Sequence, residues 1–442
     1  MQEKKALVVG LGLSGMAATD ALLHQGYSVL GVDAHLDKQA IEQWLQSVDR
    51  SKLMLDLDKV RPDLSEYELA IISPGIAQTH PLYKQIKDSG MMLMGEAEFA
   101  LSHAHQKCIG ITGSNGKTTL TLLLSHILCV AGYKAKALGN VGVPFSTYLF
   151  NQNPIEQEVL VCELSSFQLE TLTAKKFDYV IILEISQNHL DRHSSFEEYA
   201  SAKFNLLRCL KPEGVAFILE KTATVFRKQI DSIGCKVNII PQDSCLQLPQ
   251  KREYCGLMDL VRKKALGIEV YYLIKELSLA FSISEKVMME ALSSFKKPPH
   301  RLEFFKVVNG VYFVNDSKAT TAEAVIHAVK TLQGKIVLIV GGKNKGLSFT
   351  SWKVGFESYV DKILAIGESG PFIADTLKGY YDVTVCETLD QAMEKAWEIA
   401  TPESTILLSP GCASYDQYRD YMHRGEHFKE LVTALENRYV ND

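Results

Sequence analysis

The chain has 442 residues, too many for one ordinary core, and its 46% hydrophobic and 22% charged content excludes a disordered protein and calls for two to four domains. A formal charge of −5 gives no nucleic-acid surface, so any phosphate-bearing ligand has to be held by local amides and cations. Nine scattered cysteines without a C-x-x-C pair, a start without a secretory leader, and no apolar run of the ~18–20 residues that span a bilayer together point to a reducing, cytoplasmic setting.

The first apolar run, residues 6–9, enters Gly10-Leu-Gly-Leu-Ser-Gly15 and then a helical pattern to about Gly26. A second strand over residues 28–32 ends at Asp33. G-x-G-x-x-G between strand and helix, with an acid about twenty residues on, reads as a dinucleotide site. Such turns also bind mononucleotides or only pack tightly, so a nicotinamide-dependent oxidoreductase is one reading among several. Hydride chemistry finds no second cofactor-domain feature further on. The strand over residues 69–72 runs into Ser73-Pro-Gly-Ile76, either the ligand edge of a parallel sheet or a plain turn. A helix and connector over residues 96–107 lead into the next unit.

That unit opens on Gly110-Ile-Thr-Gly-Ser-Asn-Gly-Lys-Thr-Thr119, between an apolar run and an amphipathic one. Gly113 and Gly116 permit turns that a Cβ resists. The amides of Ser114 and Asn115 can then face an anion, together with the positive end of the following helix. Lys117 supplies a mobile cation, Thr118 a hydroxyl for Mg²⁺, and Thr119 extends the first helical turn. A nucleoside triphosphate is the expected ligand. Next comes a glycine-bearing turn, Ala137-Leu-Gly-Asn-Val-Gly142. The strand over residues 158–162 ends at Glu163, an Mg²⁺ ligand or a helix cap. The strand over residues 179–183 leads to Glu184-Ile-Ser-Gln-Asn-His-Leu-Asp-Arg-His193, either a metal or phosphate site or scattered surface polars. Ser195 and Glu198 stand at capping-box spacing. On composition alone Lys203 reads as one more exposed helix lysine. A strand over residues 214–219 follows, then an irregular polar stretch over 229–262, helices over 270–281 and 284–295, and a Pro-Pro linker over 296–301. A third α/β unit places strands over residues 312–314, 336–340, 362–366 and 405–408. Loops rich in Gly, Ser, Asp and Lys follow these strands: Asn315-Asp-Ser-Lys-Ala-Thr320, Gly341-Gly-Lys-Asn-Lys-Gly346, Gly367 and Ser409-Pro-Gly-Cys-Ala-Ser414.

These residues resemble the Mur ligases, the ATP-dependent amide ligases that build the peptidoglycan stem peptide, over nearly the full length. The motifs that carry the resemblance are residues 10–15, 73–76 and 112–119, Gly139-Asn-Val-Gly142, Glu163-Leu-Ser-Ser-Phe-Gln-Leu-Glu170, His189-Leu-Asp-Arg192, residues 199–203, Asn315-Asp-Ser-Lys-Ala-Thr320, residues 409–414 and the 416–425 tail. The turn at 316–320 is similar to that of the D-glutamate-adding members. The resemblance implies an α/β fold of three domains: a Rossmann-like uridine-nucleotide domain over 1–95, a central P-loop ATPase over 96–298 and a Rossmann-like amino-acid domain over 299–442. It implies ATP, UDP-N-acetylmuramoyl-L-alanine and D-glutamate as small-molecule substrates, an acyl-phosphate intermediate, two Mg²⁺ sites, a monomer and hinges near residues 96 and 298. It implies Lys117, Asn140, His189 and Lys203 at the chemistry, with Thr118, Glu163, His189 and a carbamylated Lys203 on the metals. A carbamate can ligate Mg²⁺ where an amine cannot. It sets Leu13, Ser14, Asp33, Ser73, Gly75 and Asn140 on the uridine-nucleotide substrate, and Gly113, Ser114, Asn115, Gly116, Thr119, Arg301, Asp316 and Lys318 on ATP. It sets Thr320, Lys345, Ser414 and Tyr421 on D-glutamate, whose two carboxylates call for cations and hydroxyls.

The sequence departs from the family pattern at several places. Leu266-Gly-Ile-Glu-Val270 stands where two asparagines usually hold adenine. Asn188 replaces an acid before His189, Glu184 replaces an asparagine, Thr321 follows the 316–320 turn, and Ala34 and His35 stand beside the uridine-nucleotide turn. A weaker ATP affinity or an altered nucleobase preference is expected. Two further readings compete: another amino-acid ligase of the superfamily, such as a folylpolyglutamate synthase, and a diverged nucleotide-binding relative without catalysis.

Overall fold

Apolar runs closed by glycine turns assemble into three separate sheets. The computed structural model describes residues 3–34, 38–56, 63–151, 155, 157–189, 192–241, 268–332, 334–344, 346, 348–356 and 358–439. Strands β1 (Lys5–Val9), β2 (Ser28–Val32), β3 (Leu53–Asp56), β4 (Leu69–Ile72) and β5 (Met92–Gly95) pair in the order β3-β2-β1-β4-β5, all parallel. The winding direction reverses between β1 and β4, so the loops that leave these strands flank one crevice. Their fit is close: a Cβ on Gly10, at φ +86°, would lie 2.8 Å from Ser73 Cβ, and one on Gly15 would lie 1.8 Å from the Gly10 carbonyl. The first and last glycines of the motif are therefore required by packing alone.

The second sheet holds β6 (Lys107–Thr112), β7 (Ala135–Gly139), β8 (Val159–Glu163), β9 (Phe177–Ile182), β10 (Leu210–Leu219) and β11 (Lys236–Ile240), in the order β11-β10-β9-β6-β8-β7. It is parallel throughout. Every residue of β8 is buried, which is why it reads as an unbroken apolar run and not as an alternation. Strand β6 lies between β8 and β9, so the loops after these three strands share one edge. Phe145, Phe177, Tyr199, Phe204 and Leu206 fill the core beneath it. The polar stretch expected to be irregular from residue 229 is ordered at its start: a helix spans Arg227–Ile233, and β11 pairs with β10. Strand β11 carries Val237, Ile239 and Ile240, which favour a strand, but Lys236 and Asn238 break the apolar run, and pairing with β10 fixes it. Residues 242–262 of that stretch lie outside the described residues.

The third sheet holds β12 (Glu303–Val308), β13 (Val311–Asn315), β14 (Ile336–Gly341), β15 (Val360–Ile366), β16 (Val383–Val385) and β17 (Thr405–Leu408), in the order β12-β13-β17-β14-β15-β16. The β12–β13 hairpin is antiparallel and was not legible as a strand pair. Its two-residue turn, Asn309-Gly310, has φ +48° and +78°, the left-handed pair that a tight hairpin needs. Apolar clusters cover both faces of the sheet, around Trp352 on one and Phe313 and Phe428 on the other. The chain packs as two compact units, one holding the first two sheets and the other the third. Among the described residues no helix is long and apolar enough to cross a membrane, and all the described cysteines are free.

Candidate active site

The loop after β6 takes its shape from two glycines. Gly113 has φ +153°, and a Cβ there would lie 2.6 Å from Leu183 Cβ. Gly116, at φ +79°, is the left-handed residue that starts the Lys117–Val130 helix. Ser114 ties the loop to the 184–186 segment: its N–H donates to the Glu184 carbonyl at 2.8 Å, and its hydroxyl donates to the Ser186 carbonyl at 2.9 Å. The same hydroxyl lies 3.0 Å from Tyr199 Oη. Asn115 and Thr119 are half-buried on the turn and the first helical turn, and Thr118 is buried.

Lysines converge here. Lys117 Nζ donates to the carbonyls of Gly113 (2.8 Å) and Ser114 (2.9 Å), and Lys203 Nζ donates to the same Gly113 carbonyl at 2.8 Å. Lys203 comes from the Phe196–Arg208 helix, whose N-cap Ser195 accepts from the Glu198 N–H. Tyr199 and Lys203 stand one turn apart on its inner face, with Lys203 Nζ 4.7 Å from the Tyr199 ring centroid. At 2% exposure Lys203 is not the surface lysine that composition suggests. Burial, and next the Lys117 charge, push its amine well below the usual lysine range, while Glu163 pulls the other way.

Glu163 ends β8 at 1% exposure. Its Oε1 accepts from Asn140 Nδ2 at 2.7 Å, and its backbone carbonyl accepts the Asn140 N–H at 3.0 Å. That close approach explains Gly139, where a Cβ would lie 2.4 Å from the Glu163 carbonyl. Glu163 Oε2 is buried without a hydrogen-bond partner, which is costly unless a cation or donor meets it. His189, at φ +54°, packs its ring 5.0 Å from Phe167 and 6.1 Å from Tyr199. Asn188 Oδ1 accepts the His189 N–H at 2.8 Å, so the residue standing for the usual acid braces this strained turn. Among the described residues no group of three His, Cys, Asp or Glu forms a ready-made metal site. The donor set left is Thr118, Glu163, His189 and whatever Lys203 becomes.

One cleft of about 490 Å³ gathers Leu13, Ser14, Ser73 and Gly75 from the first sheet with Lys117, Asn140, His189 and Lys203 from the second. Asp33 is not in its lining: Asp33 Oδ2 accepts the Leu11 N–H at 2.7 Å and so shapes the 10–15 turn.

The remaining sequence-selected residues lie in the second compact unit. Asp316, at the end of β13, is buried and accepts from the Leu302 N–H (3.0 Å) and Ser409 Oγ (2.9 Å). Burial pushes its carboxyl up to about 7, against the pull of those bonds and of Lys297 and Arg301. Arg301 is half-buried, and Lys318 Nζ lies 3.8 Å from the Tyr421 ring centroid. Ser414 is buried and Thr320 half-buried, while Lys345 lies outside the described residues, as do His35, Leu266 and Gly267. Arg424 was not singled out by sequence. It is 1% exposed and its guanidinium donates to Ser317 Oγ and to the carbonyls of Ser317, Gly341, Cys412 and Ala413, which binds three loops together. The only local signal was an arginine inside the 416–425 tail.

Residues 4–95 match the family model of the MurD-like Mur ligase N-terminal domain, 111–244 the Mur ligase middle domain, and 300–412 the Mur ligase glutamate ligase domain. The chain is 36% identical over 438 residues to a UDP-N-acetylmuramoylalanine--D-glutamate ligase of Protochlamydia amoebophila, covering 98% of each chain. It is 34% identical over 447 residues to the protein of the same name from Chlamydia caviae, covering 99% of each. Its fold is similar to that of a MurF ligase of Thermotoga maritima solved with ADP, with a TM-score of 0.60 at 15% identity over 99% of this chain and 96% of that one. It is also similar to a UDP-N-acetylmuramate-alanine ligase, MurC, of the same organism, with a TM-score of 0.55 at 15% identity over 98% and 99%.

Proposed function

The chain belongs to the Mur ligase family, and from that premise we propose how its residues divide the work of joining D-glutamate to UDP-N-acetylmuramoyl-L-alanine with ATP, a step of peptidoglycan synthesis. The observation that carries the proposal is the single cleft in which the 13–14 and 73–75 turns meet Lys117, Asn140, His189 and Lys203. Residues 1–95 hold the uridine nucleotide, 96–298 the triphosphate and 299–442 the amino acid.

A carboxylate acylates poorly because its leaving group would be oxide. Its oxygen therefore attacks the γ-phosphorus of ATP, the bond to the β-phosphate oxygen breaks, and ADP leaves an acyl phosphate. The neutral D-glutamate amine then adds to the carbonyl carbon and gives up a proton, and the tetrahedral species collapses by breaking its C–O bond to phosphate, which departs as the amide forms. The first step brings two anions together, so cations decide its rate. In the structure Lys117 holds the loop carbonyls; with triphosphate bound its ammonium turns to the outer phosphates, between the loop amides of Gly113, Ser114, Asn115 and Gly116 and the helix end that carries Thr118 and Thr119. Asn140, fixed by Glu163, presents its amide toward the acyl phosphate.

Lys203 is buried as an amine beside another lysine, the setting that favours its neutral form. A neutral amine adds to carbon dioxide: the N–C bond forms, a C=O electron pair moves onto oxygen, and one proton leaves. The resulting carbamate compensates the Lys117 charge. Glu163 Oε2 and Thr118 would hold one Mg²⁺, and His189 with the Lys203 carbamate a second; these ions would screen the phosphate and carboxylate charges. The uridine nucleotide is held at Leu13, Ser14, Ser73 and Gly75, with Asp33 acting through the turn it braces. Arg301, Asp316 and Lys318 serve ATP, and Thr320, Lys345, Ser414 and Tyr421 serve D-glutamate.

The test is phosphate release from ATP in the presence of UDP-N-acetylmuramoyl-L-alanine, with D- and L-glutamate compared. Release that needs both the nucleotide substrate and D-glutamate is expected. No release with either isomer removes the ligase reading, and a preference for L-glutamate removes the subtype.

A further inference from the structure

Arg192 closes the His189-Leu-Asp-Arg192 stretch, and nothing in the reaction scheme above uses it. The turn is tight: both Arg192 N–H and His193 N–H donate to the His189 carbonyl, at 3.1 and 2.9 Å. The arginine therefore starts from the backbone that carries the metal-side histidine. Its guanidinium leaves the central sheet altogether. Nη1 donates to the Gly75 carbonyl at 3.1 Å and Nη2 to the Ile76 carbonyl at 2.9 Å, both on the loop after β4. Nη2 also meets Glu170 Oε2 at 2.9 Å, an ion pair in which each side chain is only 12% exposed. The guanidinium carbon lies 4.7 Å over the centroid of the Phe167 ring, against which His189 also packs.

Each contact has a distinct mechanical role. Two carbonyls on consecutive residues fix both position and rotation of the 73–76 loop, which a single bond cannot do. Glu170 compensates the charge and keeps the fork in plane. Phe167 transmits the same guanidinium's position to the histidine ring and lines the cleft itself. The surroundings leave the seam little slack: a Cβ on Gly95 would lie 2.2 Å from Thr171 Oγ1, and Glu98 accepts from Thr173 N–H and Oγ1 across the same junction.

We propose that Arg192 is a positioning residue that locks the substrate loop Ser73-Pro-Gly-Ile76 to the His189 turn. The lock sets the uridine-nucleotide substrate at a fixed distance from the phosphate loop. A bound substrate then presents its carboxylate in register with the γ-phosphate. This inference rests on the assignment of the 73–75 loop to that substrate.

The test compares wild type with Arg192→Ala, Arg192→Lys and Glu170→Gln, in steady-state phosphate release and in direct titration with UDP-N-acetylmuramoyl-L-alanine. For Arg192→Ala the KM and the dissociation constant for that substrate should rise at least tenfold, with the KM for ATP within twofold and the thermal midpoint within a few degrees. Arg192→Lys should recover little, because a single ammonium nitrogen does not reproduce the planar fork that sets Nη1 and Nη2 on different acceptors, whereas millimolar guanidinium added to Arg192→Ala should lower the raised KM. Glu170→Gln should fall between wild type and Arg192→Ala. Equal losses for all three substrates, a collapse of the thermal midpoint with no recovery by guanidinium, or unchanged nucleotide affinity each overturn the role of Arg192. If wild type itself neither binds the uridine nucleotide nor releases phosphate, the functional reading falls and this inference with it; if wild type does both, only the Arg192 result decides.

Discussion

The phosphate-loop edge of the second sheet and the Asp316–Arg424 edge of the third treat buried charge in opposite ways. At the first, Lys117 and Lys203 share one carbonyl, and Glu163 keeps an oxygen without a partner. At the third sheet, Asp316 is capped by an amide and a hydroxyl, and Arg424 is saturated by a hydroxyl and four carbonyls. The contrast teaches that one edge is built to be completed by its ligands, while the other is completed in advance and holds its loops still. An incomplete buried charge is costly, and a ligand or a chemical modification that completes it draws binding energy from that cost.

The largest effect expected is on the open edge. Lys203→Ala should lower D-glutamate-dependent phosphate release by roughly 10³-fold or more, on the scale of lost electrostatic stabilisation at a phosphoryl site. Added formate or acetate should restore part of it, because a small carboxylate can occupy the place of the carbamate; wild-type rates with no carboxylate added would remove the carbamate from the scheme.

The closed edge should answer to pH through stability instead. Asp316 titrates at 3.8 when unfolded and at about 7 when folded, so between these values the native state holds the extra proton. Its contribution is therefore complete below about pH 4 and is lost as the pH rises to 7. Asp316→Asn keeps both hydrogen-bond partners and removes the titration. It should match wild type in urea unfolding at pH 4 and exceed it by up to about 4 kcal/mol at pH 8. Parallel pH profiles for the two proteins would contradict the buried carboxyl.

A smaller effect tests the clamp. Arg424→Lys should raise the KM for D-glutamate about tenfold, since an ammonium cannot reach the 317, 341 and 412–413 loops together, a change worth about 1.4 kcal/mol. Steady-state kinetics with varied D-glutamate measures it, and an unchanged KM would mean the loops hold without the guanidinium. The smallest change expected is in Gly425→Ala, where a Cβ would lie 2.1 Å from His300 Nδ1. Overpacking of roughly 1–3 kcal/mol, offset by up to about 1 kcal/mol of helix propensity, leaves a net loss near 1 kcal/mol in denaturant unfolding.

Much of the machinery was legible in sequence because it is written in backbone geometry. Gly113, Gly116 and Lys117 announce a phosphate loop through spacing alone, and the Gly10-to-Gly15 turn announces a Rossmann-like first sheet. The resemblance then supplied roles for Asn140, Glu163, His189 and Lys203, and the cleft brings Lys117, Asn140, His189 and Lys203 together. The antiparallel β12–β13 hairpin was missed because its turn, Asn309-Gly310, follows a Pro-Pro stretch that reads as linker. Strand β11 was missed because Lys236 and Asn238 interrupt its Val and Ile residues inside an otherwise polar stretch.

The sequence by itself determined the apolar strands that run into glycine-bearing turns, and so the α/β class and the loops those strands carry. Those are local properties of period and φ. The tertiary structure alone decided that Lys203 is buried beside Lys117, that the Arg424 guanidinium donates to four carbonyls and a hydroxyl, and that Arg192 reaches Gly75 and Ile76 more than 115 residues away. The state of a charge depends on the solvent it loses and the groups that face it, and those come from distant parts of the chain.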